Sequence, residues 1–112
     1  MIVSNPLIKL LRTEFLLDWG GIHGAPHWAR VRKNGLRLCE LTGANVRVVE
    51  AFAFLHDSQR RNDDHDPDHG RRAAQFAKSL PASQLELSDE ELELLVVACE
   101  GYSEADHART LR

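Results

Sequence analysis

The sequence has no apolar run of the roughly twenty residues that a membrane-spanning helix needs. Its N-terminal segment NPLIKLLRTEFLLDW also lacks the uninterrupted apolar core of a signal peptide. Charged side chains break that segment at helical spacing, at Lys9, Arg12, Glu14 and Asp18. We therefore expect a cytoplasmic protein with no membrane partner.

Cysteine is also scarce, which argues against a disulfide framework. The two cysteines, Cys39 and Cys99, lie far apart, each within an apolar helical pattern. Neither has a His or Asp at a spacing typical of an activated nucleophile. The pattern favours two buried, reduced thiols in a reducing compartment.

Excess positive charge is missing as well. The chain carries 14 Lys and Arg against 17 Asp and Glu, for a net charge of −3. This balance gives no electrostatic footprint for nucleic acid, so no nucleic-acid partner is expected. The glycine-rich segment GGIHG lacks the Lys-Ser/Thr of a phosphate-binding loop. With 112 residues, the chain suits one domain.

What the sequence does contain is helical periodicity, which predicts an all-α, compact bundle of five to six helices. The first predicted helix runs from Pro6 to about Trp19, and the second runs from about His27 to Leu41 and closes at Gly43. Asp66 is predicted to cap the fourth helix, with Pro67 in its first turn. Ser88 and Glu91 form a capping-box signature for the fifth, which should end at Gly101.

The third predicted helix, VRVVEAFAFLHD, is apolar almost all round and is capped by Asn45. A buried strand is the alternative, because periodicity cannot separate the two for a short apolar run. Helix is preferred because the run is longer than a typical strand and lies between helices. Such a helix must be covered on every side, so it should be central.

Titratable side chains follow this apolar helix directly, at His56 and Asp57. The alternative to a functional role is that Asp57 is exposed and His56 bonds a backbone carbonyl. However, His27 begins the preceding helix, and antiparallel neighbours bring the start of one helix near the end of the next. His23, His65 and His69 should lie at the same pole. Imidazole with carboxylate suits a divalent transition metal.

These residues resemble the HD-domain superfamily of metal-dependent phosphohydrolases. The resemblance rests on PHWARV, whose histidine is His27, followed by FAFLHDS, whose last residues contain the doublet His56-Asp57. The segment from His65, HDPDHGRRAA, is similar to the stretch beyond the doublet in small members. The resemblance covers about residues 20 to 100.

The resemblance implies a single HD-like domain over residues 1–112 that hydrolyses a phosphate ester, such as a nucleotide, through a metal-activated water. It implies metal ligands at His27, His56 and Asp57, with the metal (Mn, Fe, Co, Ni, Zn or Mg) not distinguished. Asp57 and His69 are the expected catalytic residues. The small phosphorylated substrate would be contacted by Arg30, Arg60 and His65.

Two departures from the family pattern keep a second hypothesis open. Some nucleotidase members carry a Glu three residues after the doublet, where this chain has Arg60. The family's distal Asp has only a weak candidate, Asp106, so the C-terminal portion could be lacking. The alternative function is a non-catalytic HD-like module that binds a partner or ligand. A further hypothesis is homodimerisation through the Leu- and Val-rich fifth helix.

Overall fold

The computed structural model describes the backbone of residues 2–108 and the side chains of residues 2–101. It confirms the all-α prediction, with five helices and no strand within the described part. The helices are α1 (Asn5–Glu14), α2 (Ala25–Thr42), α3 (Val46–Leu55), α4 (His69–Ser79) and α5 (Asp89–Ala108). Outside them, Val3 and Leu85 form an isolated antiparallel bridge.

Helix α1 ends earlier than predicted, at Glu14 rather than near Trp19. Phe15 leaves the helix in an extended conformation, and the chain bends so that both Phe15 and Trp19 reach Trp28. The three rings pack edge-to-face, with centroids 5.1 to 5.9 Å apart. Such aromatic contacts stabilise the turn beyond the burial of their surface, so tertiary packing outweighs the helical pattern of the sequence here.

Helices α2 and α3 form an antiparallel pair with the caps that the sequence predicts. Gly43 ends α2 with φ of 75°, a left-handed conformation that glycine adopts readily. Asn45 then caps α3, its side chain accepting a hydrogen bond from the Val48 N–H. The two helices approach closely at Gly35, where an added Cβ would lie 2.6 Å from Val49 Cγ1. In an antiparallel pair, this register brings the region of His27 opposite His56.

The close approach predicts an unusual effect of alanine at position 35. Alanine ordinarily stabilises a helix over glycine by about 1 kcal/mol. At Gly35 the added methyl overpacks against Val49, and we expect Gly35→Ala to destabilise the fold by about 1–3 kcal/mol. Urea unfolding followed by circular dichroism measures this change.

Two further variants make the Gly35 prediction specific. Gly101→Ala on α5 is the matched control, because an added Cβ there would meet no atom of the described residues within 4 Å, and it should be neutral or stabilising. Adding Val49→Ala to Gly35→Ala should remove the clash between the two helices and restore part of the lost stability. Stabilisation by Gly35→Ala equal to that by Gly101→Ala would contradict the close approach.

Helix α3 is central, as its all-round apolar pattern predicts. It packs between α2 and α5, and α5 also packs on α4. Leu55, Ala51 and Ala53 are fully buried. The one acidic residue of α3, Glu50, is buried but paired, accepting from Arg32 Nε at 2.8 Å and from the Ile2 N–H at 3.2 Å. These two donors offset the cost of burying its charge.

The last two helices correct two predicted boundaries. Helix α4 begins at His69, so Asp66 is not its N-cap; the Asp66 carboxylate is used instead by Arg61 and Arg72. Helix α5 passes through Gly101 and continues to Ala108. Its predicted start is confirmed, because Ser88 and Glu91 exchange backbone-to-side-chain hydrogen bonds at 3.0 and 3.1 Å.

None of the helices in the described part of the chain is long and apolar enough to cross a membrane.

Candidate metal centre

The start of α2 and the end of α3 bring His27, His56 and Asp57 together, as the topology of the sequence predicts. His27 Nε2 lies 3.2 Å from His56 Nε2 and 3.3 Å from Asp57 Oδ2. His56 Nε2 lies 3.4 Å from the same Oδ2. His56 and Asp57 are fully buried, whereas the His27 side chain is 25% exposed. The cluster therefore opens to solvent on the His27 side.

Backbone contacts fix the tautomer of His56. Its Nδ1 lies 2.9 Å from the carbonyl oxygen of Phe52 and 3.2 Å from that of Ala53. A carbonyl oxygen can only accept, so Nδ1 carries the proton and the Nε2 of the neutral ring presents a lone pair. Metal-binding histidines are commonly oriented in this way by a hydrogen bond from the other ring nitrogen.

Burial keeps both histidines neutral. It lowers the pKa of His56, an effect that the nearby Asp57 carboxylate only partly opposes. Burial also lowers the pKa of His27, although the negative charge of Asp57 acts to raise it. Neutral imidazole is the form that binds a metal ion, so both rings are ready to act as ligands at neutral pH.

The spacing of the three atoms fits a metal ion. Zinc–nitrogen and zinc–oxygen bonds of 2.0–2.2 Å in tetrahedral geometry place neighbouring ligand atoms about 3.3 Å apart. The Asp57 Oδ2 atom is buried and accepts no hydrogen bond within the described part of the chain. A cation among the three atoms would bind this carboxylate oxygen and the Nε2 atoms of both imidazoles. His27, His56 and Asp57 could therefore hold a divalent metal ion.

The other carboxylate oxygen of Asp57 is held on the opposite side. Arg60 Nε donates to Oδ1 at 3.1 Å, and His69 Nε2 lies 3.3 Å from the same atom. Arg60 is itself buried, and its Nη1 reaches the carbonyl oxygens of Asn62 and Asp64 at 3.4 Å. These contacts turn Oδ2 towards the two histidines. Arg60, predicted from the sequence to contact substrate, therefore contacts the candidate metal ligand Asp57.

Asp66 organises the segment that carries His69. Its main-chain oxygen accepts from His69 Nδ1 at 2.6 Å. Its carboxylate accepts from Arg72 Nη2 at 2.7 Å on both oxygens and from the Arg61 N–H at 2.8 Å. Burial alone raises the pKa of Asp66, but these donors outweigh it and hold the pKa below its usual value. The Asp66 carboxylate thus links the loop between α3 and α4 to the first turn of α4.

A second pair spans the loops beside His27. His23 Nδ1 lies 2.9 Å from Asp63 Oδ1, and the His23 ring packs edge-to-face near His27, with centroids 6.1 Å apart. The Trp28 indole fixes the same loop by donating to the His23 carbonyl at 2.7 Å. Gly24 is needed at this turn, because an added Cβ would lie 2.1 Å from the Trp19 carbonyl oxygen.

The remaining predicted site residues lie at different depths. His69 is fully buried beside Asp57, whereas Arg30 and His65 are exposed. Arg30 lies one helical turn after His27, on the solvent side of α2. The Asp106 backbone belongs to α5, but its side chain lies outside the described residues.

Neither cysteine forms part of this cluster, and both are buried free thiols, as predicted. Burial, together with the neighbouring Glu100 carboxylate, raises the pKa of Cys99 to about 12. Only the thiolate reacts rapidly with disulfide reagents. In the folded protein at pH 8, we expect no measurable labelling of Cys99 by an aromatic disulfide reagent. Prompt labelling on adding denaturant is the control, and fast labelling of native Cys99 would show the burial to be wrong.

Sequence reasoning missed the partners that orient the cluster. The ion pairs of Arg72 with Asp66 and of His23 with Asp63 join residues 6 and 40 positions apart. No motif spacing indicated either pair, although HDPDHGRR does place charges of both signs together.

Comparison of the chain with protein-family models, with curated proteins and with solved structures finds no match in any of the three.

Proposed function

We propose that the protein is a metal-dependent phosphohydrolase of the HD type, acting on a small phosphate ester. The observation that carries the proposal is the convergence of His27 Nε2, His56 Nε2 and Asp57 Oδ2 within 3.2 to 3.4 Å of one another. The resemblance of PHWARV and FAFLHDS to the HD pattern supports the same reading. A nucleotide is one candidate substrate.

Different residues of the chain would bind the metal ion, orient its ligands and bind the substrate phosphate. His27, His56 and Asp57 would hold the ion, and Arg60 orients Asp57 by donating to its other oxygen. A bound divalent ion supplies a Lewis acid for the phosphoryl oxygens and lowers the pKa of water. Exposed Arg30, one turn from His27, is placed to pair with a substrate phosphate.

One observation favours a second function, that of a non-catalytic HD-like module that binds a partner or ligand. Arg60 already lies on Asp57 as a buried ion pair, with Nε and Oδ1 3.1 Å apart. A fixed positive charge there reduces the attraction of Asp57 for a divalent ion. It also occupies the position where some nucleotidase members have an acidic residue.

A screen of phosphate esters with added Mn, Co, Ni, Zn or Mg separates the two functions. Phosphohydrolase activity predicts phosphate release that falls at least about 1,000-fold in Asp57→Asn, the scale on which loss of a group essential to catalysis is felt. The matched control is Asp64→Asn, because Asp64 is exposed on the nearby loop and should keep activity. Metal binding without any turnover would favour the binding module.

A further inference from the structure

Helix α2 carries an exposed face that mixes basic and apolar side chains. On one side of the helix, at a spacing of three to four residues, exposed Glu40 lies together with Lys33, Arg37, Leu38 and Leu41, and the last four residues are exposed as well. We call these four residues the basic stripe. Leu41 is 82% exposed and Leu38 is 57% exposed.

An apolar groove runs beside the basic stripe, between α2 and α3. It has a volume of about 520 Å³ and is lined by Val31, Gly35, Leu38, Cys39, Val49 and Phe52, with three further residues at its edge. Within the described part of the chain, no side chain fills it. A groove of this kind suits aliphatic side chains from a partner.

Helix α5 carries the complementary face. Glu90, Glu93, Leu94 and Val97 share one side of the helix at the same spacing, and all are exposed. We call them the acidic stripe. Leu94 is 55% and Val97 60% exposed. The sequence of α5 contains no Lys or Arg, so a cation that neutralises its acidic residues must come from another element, as Arg47 does for Glu91.

The two stripes approach the same end of the bundle. Glu91, in the first turn of α5, accepts from Asn45 Nδ2 and Arg47 Nε, each at 3.1 Å. Asn45 follows the end of α2 by only three residues, so the start of α5 lies beside the end of α2. Val46, which follows Asn45 in the chain, is also exposed.

We propose that the occupant of the groove is a second copy of this chain, with the acidic stripe of each copy packed on the basic stripe and groove of the other. Charge selects this partner, because Glu90 and Glu93 are opposite in sign to Lys33 and Arg37, while Leu94 and Val97 supply the apolar side chains. A two-fold arrangement makes each contact twice. This doubling helps to reach the roughly 800 Å² per partner that stable interfaces bury. The proposal is independent of the catalytic one.

Sedimentation velocity over a protein concentration series tests the association. We expect a dimer whose dissociation constant rises at least about tenfold in Leu94→Glu and in Leu38→Glu, because each variant places a charge in the apolar contact. Leu16→Glu is the matched control, since Leu16 is also exposed but lies outside both stripes. Circular dichroism confirms that each variant folds.

A charge reversal tests the pairing itself. Arg37→Glu alone places Glu against the partner's acidic stripe, and Glu93→Arg alone places Arg against the basic stripe, so each should be monomeric. Mixed together they should form a heterodimer, seen by native mass spectrometry, because both contacts then join opposite charges. A wild-type monomer throughout the series overturns the proposal, and so does a dimer that Leu94→Glu and Leu38→Glu leave unchanged. Binding of an acidic oligonucleotide by a monomer would also overturn it and assign the basic stripe to a polyanion.

Discussion

Replacing His27 with glutamine should weaken divalent metal binding at least 100-fold, beyond the roughly 10–100-fold that loss of an outer hydrogen-bond partner of a metal ligand costs. The reason is geometric: His27 Nε2 is one of three ligand atoms, and it lies 3.3 Å from Asp57 Oδ2. Glutamine keeps a polar side chain of similar reach but has no imidazole nitrogen. Isothermal titration with Zn, Mn, Co and Ni measures the change.

The controls for this prediction separate ligand loss from unfolding. His27 is partly exposed, so its replacement should leave the fold intact, as circular dichroism can show. His65→Gln removes an exposed histidine from the neighbouring loop and should leave affinity unchanged. Equal metal binding by wild type, His27→Gln and His65→Gln would mean that the ion binds elsewhere.

Replacing Asp66 with asparagine should destabilise the protein by about 3 kcal/mol, the usual cost of removing one partner of a buried ion pair. The Arg72 guanidinium would lose the carboxylate that it contacts at 2.7 Å. The Arg61 N–H would lose an ionised acceptor. Chemical denaturation at pH 7 measures the difference, and Asp68→Asn, at an exposed carboxylate, is the matched control.

The effect of Asp66→Asn should depend on pH in a defined direction. The donors around Asp66 hold its pKa below the unfolded value, so its contribution to stability is present above that value and is lost as pH falls through the folded pKa. The difference in the free energy of unfolding between wild type and Asp66→Asn should be largest near pH 6 and should decrease below about pH 4. A stability difference that increases on acidification would contradict the lowered pKa of Asp66.

Local signals in the sequence were enough to predict much of the bundle. Gly43, Asn45 and the Ser88–Glu91 capping box mark helix ends through contacts within a few residues, and the structure has all three. The apolar character of α3 predicted its central position. The short loop between α2 and α3 makes the two helices antiparallel neighbours, and this arrangement brings His27 close to His56 and Asp57.

The boundaries that were wrong depend on long-range contacts. Helix α1 stops at Glu14 because Phe15 and Trp19 pack on Trp28. Asp66 fails to cap α4 because Arg61 and Arg72 engage its carboxylate. Gly101 does not end α5, and an added Cβ there would meet no atom of the described residues within 4 Å. Sequence spacing holds no information about the first two partners.

The same limit applies to the candidate site. The pattern predicted which side chains would meet, but the roles of the two Asp57 oxygens follow only from the arrangement of α2, α3, α4 and the loop between α3 and α4. Oδ2 faces His27 and His56, whereas Oδ1 faces Arg60 and His69. Arg60 therefore orients Asp57, a role that its position three residues after the doublet did not indicate.

Anomalous diffraction from crystals soaked in Zn, Co or Mn tests directly whether His27, His56 and Asp57 bind one divalent ion. We expect a single peak about 2.0–2.2 Å from His27 Nε2, His56 Nε2 and Asp57 Oδ2. A strong peak at other residues with none among these three atoms, or no peak at saturating metal, would contradict it.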